Sequence, residues 1–433
     1  MQIPTLAELG VVRKEKVLSN GVRLVHFEKP NAPVTLKLVF DSGSRFDPPG
    51  KEGIAHFVEH LIFAGTKKFP QKDKLAMYIE SKGGLVSAST NDEVLCVNSE
   101  ISEPADIDVL TSFLGELLTE SLFTDSIIES ERGSILQEMG DRLSTAEKKA
   151  NRGFYCLMYQ GTAYELDTLG TKESLMSITR QDTLDFYNKY VVSNRCSMVS
   201  AGGISIENMA ASIEKNIHFV ALGIAHELTE VLAPIIRTRP LQIFYDENVK
   251  HVNFWMGFRT TIISDKDSTV LRMLADTLGG GRAGLLHKKL RYEKGLIYSV
   301  DAASSPSNDS GHFMIHASTS LANLSETLLT LCSILKDVKR DGIPEELIKA
   351  KKETATKRLR VMYETAESWV DGHFYQERIL SQKGKTVVDR VRSHSEVTNE
   401  DIIRVANKYF KDDAWYMTVA GNIKEVDLPK ITL

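Results

Sequence analysis

The segment His56-Phe57-Val58-Glu59-His60 carries residue types that could do metal chemistry. On a helix the two histidines, four apart, lie on one face about one turn from each other. That spacing lets two imidazoles grip one ion. Glu59 shares the face but is poorly placed to be a third ligand beside both neighbours. It is better placed to hold a water bound to the metal. Zinc lowers the pKa of bound water to about 7, and a carboxylate then takes the remaining proton. The bland alternative is two core or surface histidines that happen to be four apart. Against it, Ile54, Phe57, Val58, Leu61 and Ile62 can bury such a helix, and histidine is uncommon, with 11 in the chain.

A third ligand is expected to be a carboxylate on another packed helix. In the stretch Thr124 to Arg142, Glu131 and Glu138 are seven apart and face the same side. Spacing alone does not choose between them. One could be the ligand and the other could hydrogen-bond a ligating imidazole. Glu129 reads as a solvated residue of the same helix.

The elements that must position these groups follow from periodicity. Val22 to Val39 alternates like strands, and Gly43 to Gly53 is a loop with Pro48 and Pro49. Helices are predicted over 54–63, 71–81, 104–119 and 124–149, with strand over 85–101. Strand blocks beside helix blocks, without regular alternation, argue α+β. The chain is also a duplication. Thr179 meets Thr398, a shift of 219. At that shift Asn188-Lys189-Tyr190 meets Asn407-Lys408-Tyr409, Met198 meets Met417, Ala201-Gly202 meets Ala420-Gly421, and Ile204 meets Ile423. The expected division is 1–222 for a metal-binding domain, 223–240 for a linker containing Pro234 and Pro240, and 241–433 for a homologous domain. The same shift sends His56 to Ala275, Glu59 to Leu278, His60 to Gly279 and Glu138 to Lys357, so one metal site per chain is expected.

Composition narrows the class. The chain has 433 residues, 42% hydrophobic and 26% charged, which excludes disorder, collagen and coiled coil. A formal net charge of -5 gives no reason to expect nucleic acid. No apolar run is long enough to span a membrane. MQIPTLAELG has neither the basic start and apolar core of a secretory signal nor the arginines of a transit peptide, so a cytoplasmic location is expected. Cys96, Cys156, Cys196 and Cys332 form no CxxC pair, which fits a reducing compartment and leaves metal binding to histidine and carboxylate.

Gly53-Ile54-Ala55-His56-Phe57-Val58-Glu59-His60, followed by Phe63 and Gly65-Thr66, resembles the pitrilysin, or inverzincin, metallopeptidase family. The nearest likeness is to the half-length branch of mitochondrial processing peptidases and their bacterial relatives, and it covers nearly the whole chain. The resemblance implies two homologous domains, each a mostly antiparallel mixed sheet with helices on one face, arranged as a clamshell. It implies one zinc per chain on His56, His60 and Glu138, with Glu59 as general base and Glu131 in support. It also implies that Arg291 and Tyr298, seven apart in the second half, complete the site. A guanidinium and a phenol are sensible donors for a peptide carbonyl and its developing oxyanion. Ser87, Ala88, Ser89 and Thr90 match the family's substrate-binding edge strand, which pairs with extended peptide. The family usually has Asn where this chain has Ser87, and an aromatic near Val97; these departures bear on substrate preference, not on the chemistry.

The reading is therefore a zinc endopeptidase acting on peptides or unfolded segments enclosed between two halves, working as a homodimer or with a related subunit. The alternative is a non-catalytic partner subunit of the same family, which would be free to lose Glu59, a ligand or the Arg/Tyr pair. Three other patterns read as decoys. Gly279, Gly281 and Gly284 fit a dinucleotide fingerprint but follow helical spacing. His312 and His316 sit on a strand pattern, about 13 Å apart. Lys351 to Arg360 reads as a solvated helix face.

Overall fold

The computed structural model describes residues 2–219, 241–374 and 385–433; the expected linker 223–240 lies outside them. The first half contains β1 (Val12–Val17), β2 (Arg23–Glu28), β3 (Val34–Phe40), α1 (Ile54–Ile62), α2 (Lys72–Glu80), β4 (Gly84–Thr90) and β5 (Leu95–Ile101). It continues with α3 (Ile107–Thr119), α4 (Asp125–Arg142), α5 (Ala146–Tyr159), α6 (Lys172–Ser177), α7 (Arg180–Tyr190), β6 (Cys196–Gly202) and α8 (Ile206–Asn216). The second half contains β7 (Leu241–Tyr245), β8 (His251–Arg259), α9 (Asp267–Gly279), β9 (Ile297–Pro306), β10 (Gly311–Ser320) and α10 (Leu321–Asp341). After these come α11 (Glu345–Met362), α12 (Ala366–Phe374), α13 (Val387–Glu396), α14 (Asn399–Tyr409) and β11 (Trp415–Gly421).

Two sheets result. One has six strands in the order β1-β2-β6-β3-β5-β4, the other five in the order β7-β11-β8-β10-β9. The shift of 219 carries β2, β6, β3, β5 and β4 onto β7, β11, β8, β10 and β9, strand for strand. Each sheet has one parallel pair, β2 with β6 and β7 with β11; the other pairs are antiparallel. The fold is α+β, with two homologous domains set as a clamshell.

The sequence of β3 shows why the domains interlock. Leu36, Leu38 and Phe40 join the core formed with Ile54, Phe57 and Leu61 of α1. On the opposite face, Lys37 pairs with Asp371 of α12, a helix from the second half. The exchange is reciprocal. Trp369 and Val370 of α12 pack on Val25, Phe27, Val199 and Ala201 of the first sheet. Ala150, Phe154 and Met158 of α5 pack on Trp255, Tyr416 and Ala420 of the second sheet. Each fully buried large apolar side chain contributes roughly 1.5–3 kcal/mol, so the two crossed helices resist separation of the halves.

Two sequence expectations need correction. The helix over 124–149 is two helices, because Thr145 caps a new one: its Oγ1 accepts from Lys148 N at 3.2 Å. The break lets α4 stay against α1 while α5 crosses to the other sheet. The strand over 85–101 is a hairpin, because Asn91 Oδ1 accepts from the amides of Glu93 (2.8 Å) and Val94 (2.9 Å) and turns the chain.

Candidate metal centre

Helix α1 is set by its start. Gly53 sits at φ 95, and a Cβ there would lie 2.5 Å from the Leu169 carbonyl oxygen, so glycine is required. Asp47 accepts from the amides of Gly53 (2.6 Å) and Ala55 (3.1 Å), satisfying donors of the first turn. Burial pushes the Asp47 carboxyl up to about 7. Ile54, Phe57, Val58, Leu61 and Ile62 are buried, which fixes the rotation of the helix and turns His56, Glu59 and His60 the other way.

The side chains of His56, His60 and Glu138 converge. One ligand atom from each lies within 4.8 Å of the others. Glu138 Oε2 is 3.7 Å from His56 Nε2 and 3.8 Å from His60 Nε2. Two imidazole nitrogens and a carboxylate oxygen aimed at one point are the donor set of a catalytic zinc site. Burial, reinforced by His60 and Arg142, pushes the His56 pKa down to about 3, so its ring is neutral near pH 7 and its lone pair is free for a metal.

Glu131 lies on the other side of the cluster. Its Oε2 is 3.0 Å from His60 Nδ1, the ring nitrogen not aimed at the ligand point. Such a contact fixes the ring and its tautomer. Burial works to raise the Glu131 pKa, but the His60 contact and Lys72, at 3.1 and 3.2 Å from its two oxygens, bring it below the ordinary value. The two carboxylates that spacing left interchangeable thus occupy different places. Glu59 contributes no atom to the converging set. Its Oε2 accepts from Thr90 Oγ1 at 2.6 Å, and burial raises its pKa.

Ser87, Ala88, Ser89 and Thr90 all lie on β4, which among the described residues is an edge strand paired with β5 alone. Ser87 and Ser89 are exposed, whereas Thr90 turns inward to Glu59. The contacts described for Arg291 and Tyr298 lie within the second half. Arg291 donates to the Tyr298 carbonyl, and the Tyr298 ring meets His251 edge-on at 4.4 Å. Tyr298 is the second residue of β9, whereas the far end of that strand approaches α4. A cleft of about 300 Å³ is lined by Arg142 and Asp167 on one side and Ser305, Pro306 and Ser307 on the other. Pro306 is eight residues along the strand from Tyr298, about 26 Å at roughly 3.3 Å per residue.

Sequence reasoning missed Lys72, one of several lysines between α1 and β4 with no distinguishing pattern. It flagged Thr90 only as a substrate contact. The decoys resolve simply. Gly279 ends α9, and Gly281 and Gly284 follow that helix rather than a strand. A Cβ on Gly279 would lie 2.1 Å from Ala302 N, so strand β9 packs too close to leave room for a side chain there. His312 bonds the Tyr159 hydroxyl at 2.7 Å, and His316 stacks on Trp255. Lys351 to Arg360 lies on α11, with Lys357 and Arg360 exposed. No described helix is long and apolar enough to cross a membrane.

Comparison with known proteins gives two family matches. Residues 23–172 match "Insulinase (Peptidase family M16)" and residues 177–355 match "Peptidase M16 inactive domain". An "Uncharacterized zinc protease" of Rickettsia bellii is 24% identical over 411 residues, 94% of this chain and 97% of that protein. The mitochondrial-processing peptidase subunit beta of Dictyostelium discoideum is 25% identical over 292 residues, 65% of this chain and 60% of that one. The crystal structure of a protease from Helicobacter pylori superposes with a TM-score of 0.82 at 19% identity, covering 95% of this chain and 99% of that one.

Proposed function

The chain belongs to the insulinase family of peptidases (M16), in its half-length branch, and on that premise we propose that it is a zinc-dependent endopeptidase. The observation that carries the proposal is the convergence of His56 Nε2, His60 Nε2 and Glu138 Oε2, with Glu59 on the same helix yet outside the converging set. Zinc on those three residues would supply Lewis acidity, acidifying water and polarising a peptide carbonyl. Glu59 then takes the proton of the attacking water and returns it to the leaving amine. Glu131 orients His60. The open edge of β4 takes an extended segment of substrate as an added strand. The purified protein is expected to hold about one zinc per chain by elemental mass spectrometry. A metal-free preparation with full peptidase activity would remove the proposal.

Among the described residues the second half adds no further cluster of this kind, and Ala275, Leu278, Gly279 and Lys357 stand at the positions that the shift of 219 assigns. Its match to the inactive domain of the family agrees with this. Tyr298 lies near the start of β9, the end away from Pro306 and the cleft beside Arg142, and it is 50% exposed. A second chain, either another copy or a related subunit, is what would set such a pair opposite a metal cluster. Tyr298→Phe is therefore expected to keep its zinc and lose about 10²–10³-fold in kcat, the cost of one oxyanion donor. Mixing it with Glu59→Gln is expected to restore part of the activity if the chain pairs with itself. Unchanged kinetics in Tyr298→Phe would remove the pair from the site.

A further inference from the structure

Two turns from opposite halves meet beside the metal centre. The turn between β4 and β5 begins immediately after Thr90. It is held from its own half by three backbone bonds: Ser44 N to Asn91 O (3.0 Å), Arg45 N to Asp92 O (2.9 Å) and Gly43 N to Glu93 O (3.2 Å). The turn between β9 and β10 reaches it from the second half. Asn308 donates its backbone amide to Glu93 Oε1 and its side-chain amide to Glu93 Oε2, each at 3.1 Å. Arg45 pairs with Asp309 at 2.5 Å and lies 3.6 Å from Glu93. The Tyr164 hydroxyl bonds both Glu93 and Asp309. Asp309 is only 2% exposed. Charge-assisted bonds shielded in this way are stronger and more directional than exposed ones.

We propose that Thr90 is a positioning residue for Glu59, and that the second half holds it in place through Asn308 and Asp309. The proposal rests on the reading of Glu59 as general base. A glutamate side chain has several rotatable bonds, and a base works only when its free oxygen is held within hydrogen-bond reach of the proton it takes. The Thr90 hydroxyl donates to Oε2 and so holds one oxygen of the carboxylate in place. Thr90 is the last residue of β4 and pairs with Leu95 across the hairpin, so the position of its hydroxyl follows the position of the turn. The turn is clamped from both halves. Within one chain, the second half thus acts on the chemistry through the β9–β10 turn, at the opposite end of β9 from Arg291 and Tyr298.

Three variants test this, each loaded with zinc and measured for metal content, unfolding midpoint and steady-state kinetics. Thr90→Val keeps the shape and removes the donor; Thr90→Ser keeps the donor. Thr90→Val is expected to lower kcat about 10–100-fold, with KM within about twofold, as an interaction used mainly in the transition state requires. Thr90→Ser is expected to recover most of that loss, and both should bind zinc and unfold as wild type does. Asn308→Ala is expected to speed amide hydrogen exchange at residues 91–94 and to lower kcat in the same direction as Thr90→Val. Wild-type kcat in Thr90→Val, or equal losses in Thr90→Val and Thr90→Ser, would overturn the positioning role. Unchanged exchange and kcat in Asn308→Ala would overturn the part given to the second half. A wild-type protein that cleaves no peptide would instead bring down the base assignment itself, and this role with it.

Discussion

Glu59→Gln is expected to retain its zinc and to lose peptidase activity by about 10²–10⁴-fold, the usual contribution of a positioned general base. The substitution keeps the size and shape of the side chain and removes only its ability to take a proton. Glu59 contributes no atom to the converging ligand set, so metal content should not fall. The amide can still accept from Thr90, so the local packing should stand as well. Peptide turnover measured beside elemental analysis separates the two effects. Activity retained at full metal load would mean that another group takes the proton, and a loss of metal would mean that Glu59 is a ligand.

The second large effect concerns the two carboxylates of α4. Glu138→Gln should lower zinc affinity far more than Glu131→Gln. Glu138 offers an oxygen to the point where His56 Nε2 and His60 Nε2 converge, and a neutral amide there removes the only charged donor of the set. Glu131 bonds the opposite nitrogen of His60. Its replacement by Gln leaves an acceptor for that nitrogen and removes the charge facing Lys72, so a loss of about 10–100-fold in affinity is expected. Competition with a chromophoric chelator measures both variants. The reverse order would make Glu131 the ligand.

How much of this was legible in the sequence depended on whether the signal was local. His56, Glu59 and His60 were legible because helical spacing alone puts them on one face, and the buried flank of α1 fixes which way that face turns. The duplication was legible because eight identities fall at one shift, and the topology of both sheets repeats with it. The choice between Glu131 and Glu138 was not local. It depends on how far along α4 the helix crosses α1, which no spacing encodes. The same is true of Lys72, which reaches Glu131 across the gap between α2 and α4, and of the Thr90 hydroxyl. The break before α5 was hidden because Thr145 caps a helix within a stretch of good helix formers. The place of Arg291 and Tyr298 was also hidden, because a motif carries residue types and spacing but not which end of β9 faces the metal helix.

The most direct test of the central claim is mass spectrometry of the products formed from a mixed peptide library, with and without a chelator and after zinc is restored. The account predicts fragments from internal peptide bonds, their loss on chelation and their return with zinc. Internal cleavage that continues undiminished in chelator, or no cleavage by zinc-loaded protein, would contradict it.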